Sequence, residues 1–141
     1  MIQKVLVAVD GSENSERALD FATLFAEKYG AALTVLNVTE LPAAVYPNNE
    51  MIVVAKDLHK IHKDILSKAL ARVEATRPAL SVSAILRDGE PAVEIVAVSR
   101  EGEFDVAVLG YRGLGKVQGI LLGSISAKVA RSISCTVIIV K

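Results

Sequence analysis

Residues Gly110 to Ser126 read GYRGLGKVQGILLGSIS, and this stretch holds five of the nine glycines of the chain. Glycine permits φ > 0 and close backbone approach, but it loses the most entropy on folding. So dense a cluster suits either an awkward loop or a ligand gripped by main-chain N–H groups. Ser124 and Ser126 would add hydroxyl donors at the start of the amphipathic segment that follows. Free N–H groups and the positive dipole end at a helix start favour a phosphate. Ser124 would also serve as a helix N-cap, so spacing alone fits phosphate binding and plain capping equally.

A second polar turn, Asp10-Gly11-Ser12, follows the apolar run KVLVAV. Its carboxylate could meet a ligand or only the free N–H groups of a helix start. Two other groups attract notice. His59 and His62 stand at i, i+3, but Lys56, Lys60 and Lys63 surround them and no third ligand follows, so a solvated helix face is expected rather than a metal site. Cys135 is the single cysteine, in an apolar context that suits a buried inert thiol.

These groups need a scaffold. Continuous β-branched runs at Lys4–Val9, Leu33–Val38, Leu80–Leu86, Asp105–Leu109 and Thr136–Val140 have the look of strands buried on both faces. Between them lie helical patterns. Ser12 is placed to cap the first, which runs through Ala18, Ala22, Phe25, Ala26 and Tyr29 to Gly30. A long second one spans about 51–77 and stops at Pro78, after a connection at 40–50 broken by Pro42 and Pro47. Pro91 opens a third, ended by Gly102, and Ile125, Val129 and Ile133 mark a fourth. Strict alternation predicts an α/β fold, a doubly wound five-stranded parallel sheet with helices on both faces, in one domain over 1–141. In such sheets the ligand crevice lies beyond the carboxyl ends of the strands, where strand order reverses.

Composition narrows the functions. A chain that is 52% apolar with a formal net charge of zero is neither disordered nor built for a polyanion. Three Phe, three Tyr and no Trp argue further against stacking on single-stranded bases, so no nucleic-acid partner is expected. No apolar run reaches membrane-spanning length and the N-terminus lacks a cleavage pattern, so the cytoplasm is the expected location. There is no GxxxxGK[ST], and Gly119 falls one residue too late for a GxGxxG begun at Gly113 and Gly115. A Walker-type NTPase and a Rossmann dehydrogenase are both disfavoured.

Gly110-x2-Gly113-x9-Gly123-Ser124 matches the G-x2-G-x9-G-[ST] pattern of ATP-binding universal stress proteins, and KVLVAVDGSENSERAL resembles the first strand and helix of that family. The resemblance covers essentially the whole chain. It implies the strand order 3-2-1-4-5, with strands 1 and 4 adjacent at the switch point, in an adenine-nucleotide α-hydrolase-like fold. It also implies ATP and Mg²⁺, with adenine near Ala8 and Val38 and with Asp10 at the ribose or at a phosphate-bound Mg²⁺, where Ser124 would help. Gly110 would flank the ribose, and Arg112, Gly113, Gly123, Ser124, Ile125 and Ser126 would surround the triphosphate. Tyr111 departs from the small Ser or Thr usual there, and would crowd the ribose side or point to solvent. No residue is assigned a catalytic role, so turnover is expected to be slow or absent.

The last strand, TVIIV, is apolar on both faces with no helix after it, an exposed edge in a monomer. The resemblance implies its remedy, a homodimer formed by pairing Thr136, Val137, Ile138, Ile139 and Val140 with their copies. Charged residues at Val137 or Ile139 are expected to yield monomers or aggregates. The role implied is regulatory or protective in a stress response, with a signalling partner the sequence does not identify. Two rivals remain. A protein-interaction dimer without nucleotide dependence is one, and a slow ATPase or other nucleotide enzyme is the second, though the S-G-G-x-D-S loop of pyrophosphate-releasing relatives is replaced here by DGSENS.

Overall fold

The computed structural model describes residues 1–41, 49–112 and 122–141. Gly113, and with it most of the glycine stretch, lies outside the described residues. In chain order the elements are β1 (Lys4–Ala8), α1 (Glu13–Tyr29), β2 (Ala32–Thr39), α2 (Asn49–Thr76), β3 (Val82–Asp88), α3 (Pro91–Glu101), β4 (Val106–Gly110), α4 (Ser124–Ser132) and β5 (Thr136–Val140). The sheet is parallel in the order β3-β2-β1-β4-β5, as the resemblance implies, so β1 and β4 are neighbours at the reversal.

The period-2 alternation of the strands divides the core in two. Val5 and Val7 of β1, Leu33 and Val35 of β2 and Val106 and Val108 of β4 face α1 and α2. Leu6, Leu36, Ala107 and Leu109 face α3 and α4, with Ile95, Val98 and Val129 packed on them. Fully burying one such side chain contributes about 1.5–3 kcal/mol, and β1 is buried on both faces because it lies mid-sheet.

Local chemistry sets the helix limits. Ser12 caps α1, its Oγ accepting from the Ser15 N–H at 3.2 Å, and Glu13 and Glu16 add acidic charge to the first turn. Arg72 of α2 forks onto Asp20 at 2.7 and 2.8 Å and holds that carboxyl below its usual range. Arg77 pairs with Glu27 at 2.6 Å. These exposed pairs align α1 and α2 but contribute only about 0–1 kcal/mol each. Pro91 opens α3 at its first turn, where no N–H is required. Among the described residues no helix is long and apolar enough to cross a membrane.

Two boundaries differ from the sequence expectation. β3 runs from Val82 rather than Leu80 and extends to Asp88, because the Leu80 N–H is turned back onto the Arg77 carbonyl. Asp105, expected to open β4, instead caps β1: its Oδ2 accepts from the N–H groups of Gln3 and Lys4 at 2.8 and 2.9 Å. That pair of bonds holds the Asp105 carboxyl below the usual carboxylate range.

Candidate functional site

Asp10 of the first turn and the described ends of the glycine stretch line one cleft at the carboxyl edge of the sheet. Ala8, Asp10, Val38, Gly110, Arg112, Ile125 and Ser126 all line it, so seven of the expected residues come together. The lining also includes Val9, Ser15, Leu36, Pro91, Ile95 and Leu109, which the sequence reading did not name. Leu36 was within reach of the pattern, since it lies two residues from Val38 on the same sheet face. Ile95 follows Pro91 by one helical turn. The walls are therefore mostly aliphatic, with one carboxylate, Asp10, and one guanidinium, Arg112, among them.

Gly123 and Ser124 are not part of the lining, but they set the start of α4. The N-cap is Gly123, not Ser124: the Gly123 backbone is extended and its carbonyl accepts from the Ala127 N–H at 2.9 Å, so Ser124 is already the first helical residue. Among the described residues no side chain caps this end. The N–H groups of Ser124, Ile125 and Ser126 precede the first intrahelical donor and point out of the helix start. The Gly123 N–H itself bonds the Tyr111 carbonyl at 3.0 Å, and the Tyr111 N–H bonds the Val140 carbonyl at 2.7 Å, which ties the helix start to the ends of β4 and β5.

The serines differ from the expected pair of donors. Ser126, buried, directs its hydroxyl proton at the Gly110 carbonyl at 2.7 Å, so its side chain can only accept. Ser124 is exposed. Asp10 is half-buried; its Oδ1 accepts from the Ser12 N–H at 2.9 Å and its own N–H donates to Ser15 Oγ at 3.2 Å. One carboxylate oxygen thus holds the turn, and Oδ2 remains for another donor. Tyr111 is not among the described lining residues of the cleft and is half-buried rather than free in solvent. The Arg112 guanidinium stands over its ring 5.0 Å from the centroid, and Lys141 Nζ stands over it at 5.5 Å. Arg112 is thereby steadied at the cleft mouth by a cation–π contact.

The described residues hold no group of three or more His, Cys, Asp and Glu side chains fit for a metal ion. The histidines are not a solvated face, however. His59 Nε2 meets Asp88 Oδ1 at 2.7 Å, and His62 Nδ1 bonds Asn37 Oδ1. Asn37 is 1% exposed and donates its amide to the Val9 carbonyl at 2.7 Å, so its oxygen faces His62, whose Nδ1 must carry the proton. The chain His62–Asn37–Val9 couples α2 to the residue just before Asp10.

Burial pushes the His62 pKa below the usual imidazole value, His59 lowers it further, and Asp10 and Asp88 oppose the shift. The unfolded chain, titrating near ~6.5, then takes up a proton that the folded chain resists. The stabilisation is complete above that pH and is lost as pH falls through ~6.5 toward the folded value. The melting temperature is expected to fall between pH 7.5 and 5.5, and His62→Gln, which keeps an N–H for Asn37, should flatten that fall. An unchanged slope in the variant would contradict the assignment.

Cys135 is half-buried and burial raises its thiol pKa, which fits the inert reading. A larger, open hollow of about 770 Å³ lies at the amino ends of the strands, lined by Gln3, Glu27, Arg77 and Ser81 among others. Its charges are already paired with each other and no helix start faces it. The cleft at the carboxyl edge is the better site on chemistry, though smaller.

The model of the universal stress protein family matches residues 1–141. Universal stress protein YxiE of Bacillus subtilis (strain 168) is 33% identical, with all of both chains covered. A universal stress protein solved in complex with cAMP is 31% identical at a TM-score of 0.78, covering 99% of this chain and 97% of that one. The universal stress protein from Archaeoglobus fulgidus solved in complex with dAMP is 27% identical at a TM-score of 0.68, with 100% of each covered. On its fold, its cleft and these matches, the chain belongs to the universal stress protein family.

Proposed function

We propose that this chain is an ATP-binding regulatory or protective module of the stress response, working in the cytoplasm as a homodimer paired through Thr136–Val140, with Mg²⁺ carried on the phosphates. The observation that carries this reading is the cleft itself: an aliphatic slot between the ends of β1 and β4 that opens onto the uncapped start of α4. An apolar slot suits a flat base, and outward N–H groups suit phosphates. Two relatives solved with cAMP and dAMP share adenine as the common ligand group, which supports the base assignment.

In this proposal Ala8 and Val38 line the base, and Asp10 and Gly110 meet the ribose side. Arg112, Gly113, Gly123, Ser124, Ile125 and Ser126 surround the phosphates, the last through its N–H. The free oxygen of Asp10 and the Ser124 hydroxyl are oxygen donors of the kind Mg²⁺ takes, but two are too few for a dedicated cage. The ion would therefore arrive with the nucleotide and neutralise its phosphates. Among the described residues the cleft holds no nucleophile and base pair, which fits storage or signalling by bound nucleotide better than fast turnover.

Thermal unfolding with a nucleotide panel tests the reading. A ligand that binds only the folded state at 100 times its Kd adds about 2.7 kcal/mol of stability. ATP with Mg²⁺ is expected to raise the melting temperature, and GTP at the same concentration to raise it less. Equal or absent shifts would count against adenine recognition.

A further inference from the structure

Two cations gather on the ring of Tyr111. The strand register brings them there: Gly110 of β4 lies opposite Val140 of β5, so Tyr111 and Lys141 are the next residues on either side and leave the sheet together. Lys141 Nζ stands over the ring at 5.5 Å and the Arg112 guanidinium at 5.0 Å, with Arg112 Nη2 3.5 Å from the Tyr111 hydroxyl. The negative face of the ring attracts each cation, while the two like charges repel one another. An anion that reaches both gains two partners and relieves that repulsion.

The main chain of the same residue fixes the frame around them. The Tyr111 N–H donates to the Val140 carbonyl at 2.7 Å, and the Tyr111 carbonyl accepts from the N–H of Gly123, the N-cap of α4, at 3.0 Å. One residue thus joins the end of β5, beside Lys141, to the helix start whose N–H groups point outward. Of the three side chains only Arg112 is among the described lining residues of the cleft. Tyr111 therefore acts on the cleft through the cations it holds.

The geometry points to Tyr111 as a positioning residue that holds Arg112 and Lys141 for the outer phosphates of a nucleotide, so that the site discriminates by the length of the phosphate tail; this rests on the reading of the cleft as an adenine-nucleotide site. AMP, ADP and ATP present the same base to the aliphatic slot and differ only in the tail. A single phosphate suits the N–H groups at the start of α4. Each further phosphate brings anionic oxygens that charge-assisted bonds from Arg112 and Lys141 can take up. A guanidinium already resting on a ring has less rotamer freedom left to lose when the tail arrives. A small residue at 111 would leave both side chains to be ordered by the ligand.

The test is calorimetric titration of the full chain with AMP, ADP and ATP, Mg²⁺ present throughout, for the wild type, Tyr111→Ser, Tyr111→Phe and Lys141→Gln. The wild type is expected to bind ATP more tightly than ADP, and ADP more tightly than AMP. Tyr111→Ser should lower the ratio of ATP to AMP affinity about 10-fold, the scale of a cation–π contact shielded from water. Tyr111→Phe keeps the ring and should restore the ratio to within about 2-fold of wild type. A merely structural role would weaken all three nucleotides by one factor. That result, or an unchanged ratio in Tyr111→Ser, would overturn the role of Tyr111 and leave nucleotide binding standing. A wild type that binds none of the three would overturn the reading of the cleft, and this inference with it. Should Tyr111→Ser misfold, Lys141→Gln decides, because Lys141 is exposed: the ratio should fall about 3-fold, and an unchanged ratio would refute the inference.

Discussion

Gly110→Ala is expected to lower folding stability by about 1–3 kcal/mol, the usual cost of forcing an extra methyl into a packed interior. A Cβ at 110 would stand 2.9 Å from both the carbonyl carbon and the oxygen of Asn14, and 3.1 Å from the Asn14 Cβ. Main-chain atoms cannot turn aside as a side-chain tip can, so α1 itself must move. Its first turn is fixed by the Ser12 cap and by the Ser15 hydroxyl bonded to the Ser12 carbonyl at 2.9 Å. Ser15 and Asp10 line the cleft and move with that turn, so nucleotide affinity should fall together with stability. Denaturant unfolding and ATP titration of the variant check both parts. Stability within about 0.5 kcal/mol of wild type, the range of an ordinary surface change, would show that the β4–α1 approach is looser than the geometry implies.

Ala8→Phe is expected to act mainly on the ligand, removing binding while the chain still folds. Ala8 ends β1 opposite Leu36 in the register of β2, and it lines the slot where the slot borders the core cluster of Leu6, Leu36 and Ile95. A phenyl ring there occupies the space assigned to the base. The ring competes directly with the ligand for the slot, so affinity for ATP should drop by about 100-fold or more. Unfolding in denaturant should show a loss of no more than about 1–3 kcal/mol, the cost of crowding the neighbouring core side chains. A variant that binds ATP normally would place the base elsewhere, and a variant that unfolds would show Ala8 to be core.

The strands, their alternation with helices and the two polar turns were legible in the sequence because local pattern determines them. KVLVAV and TVIIV read as strands from composition alone, and Ser12, Gly30 and Pro91 mark their helix ends by backbone chemistry that needs no tertiary context. The strand order came through the family resemblance, since periodicity does not say which strands are neighbours. The misses share a cause. Asp105 was read as the first residue of a strand, yet its role depends on Gln3 and Lys4, about 100 positions away. His62 looked solvated from its lysine neighbours, yet Asn37 on β2 binds it across the helix–sheet interface. Ser126 looked like a donor to a ligand, yet its hydroxyl donates to the Gly110 carbonyl. Each is a polar group whose partner is brought in by the sheet register and by helix docking, and single-sequence patterns carry neither.

The family and the fold limit what the cleft is for, but the central claim is that it holds ATP. The most direct measurement is calorimetric titration of the purified wild-type chain with ATP and Mg²⁺, with Ala8→Phe run in parallel. Saturable binding of one nucleotide per chain, lost in Ala8→Phe, is the expected result. Heats no larger than dilution for a folded wild type at ATP concentrations up to about 1 mM, where a Kd would correspond to only −4.1 kcal/mol, would contradict it.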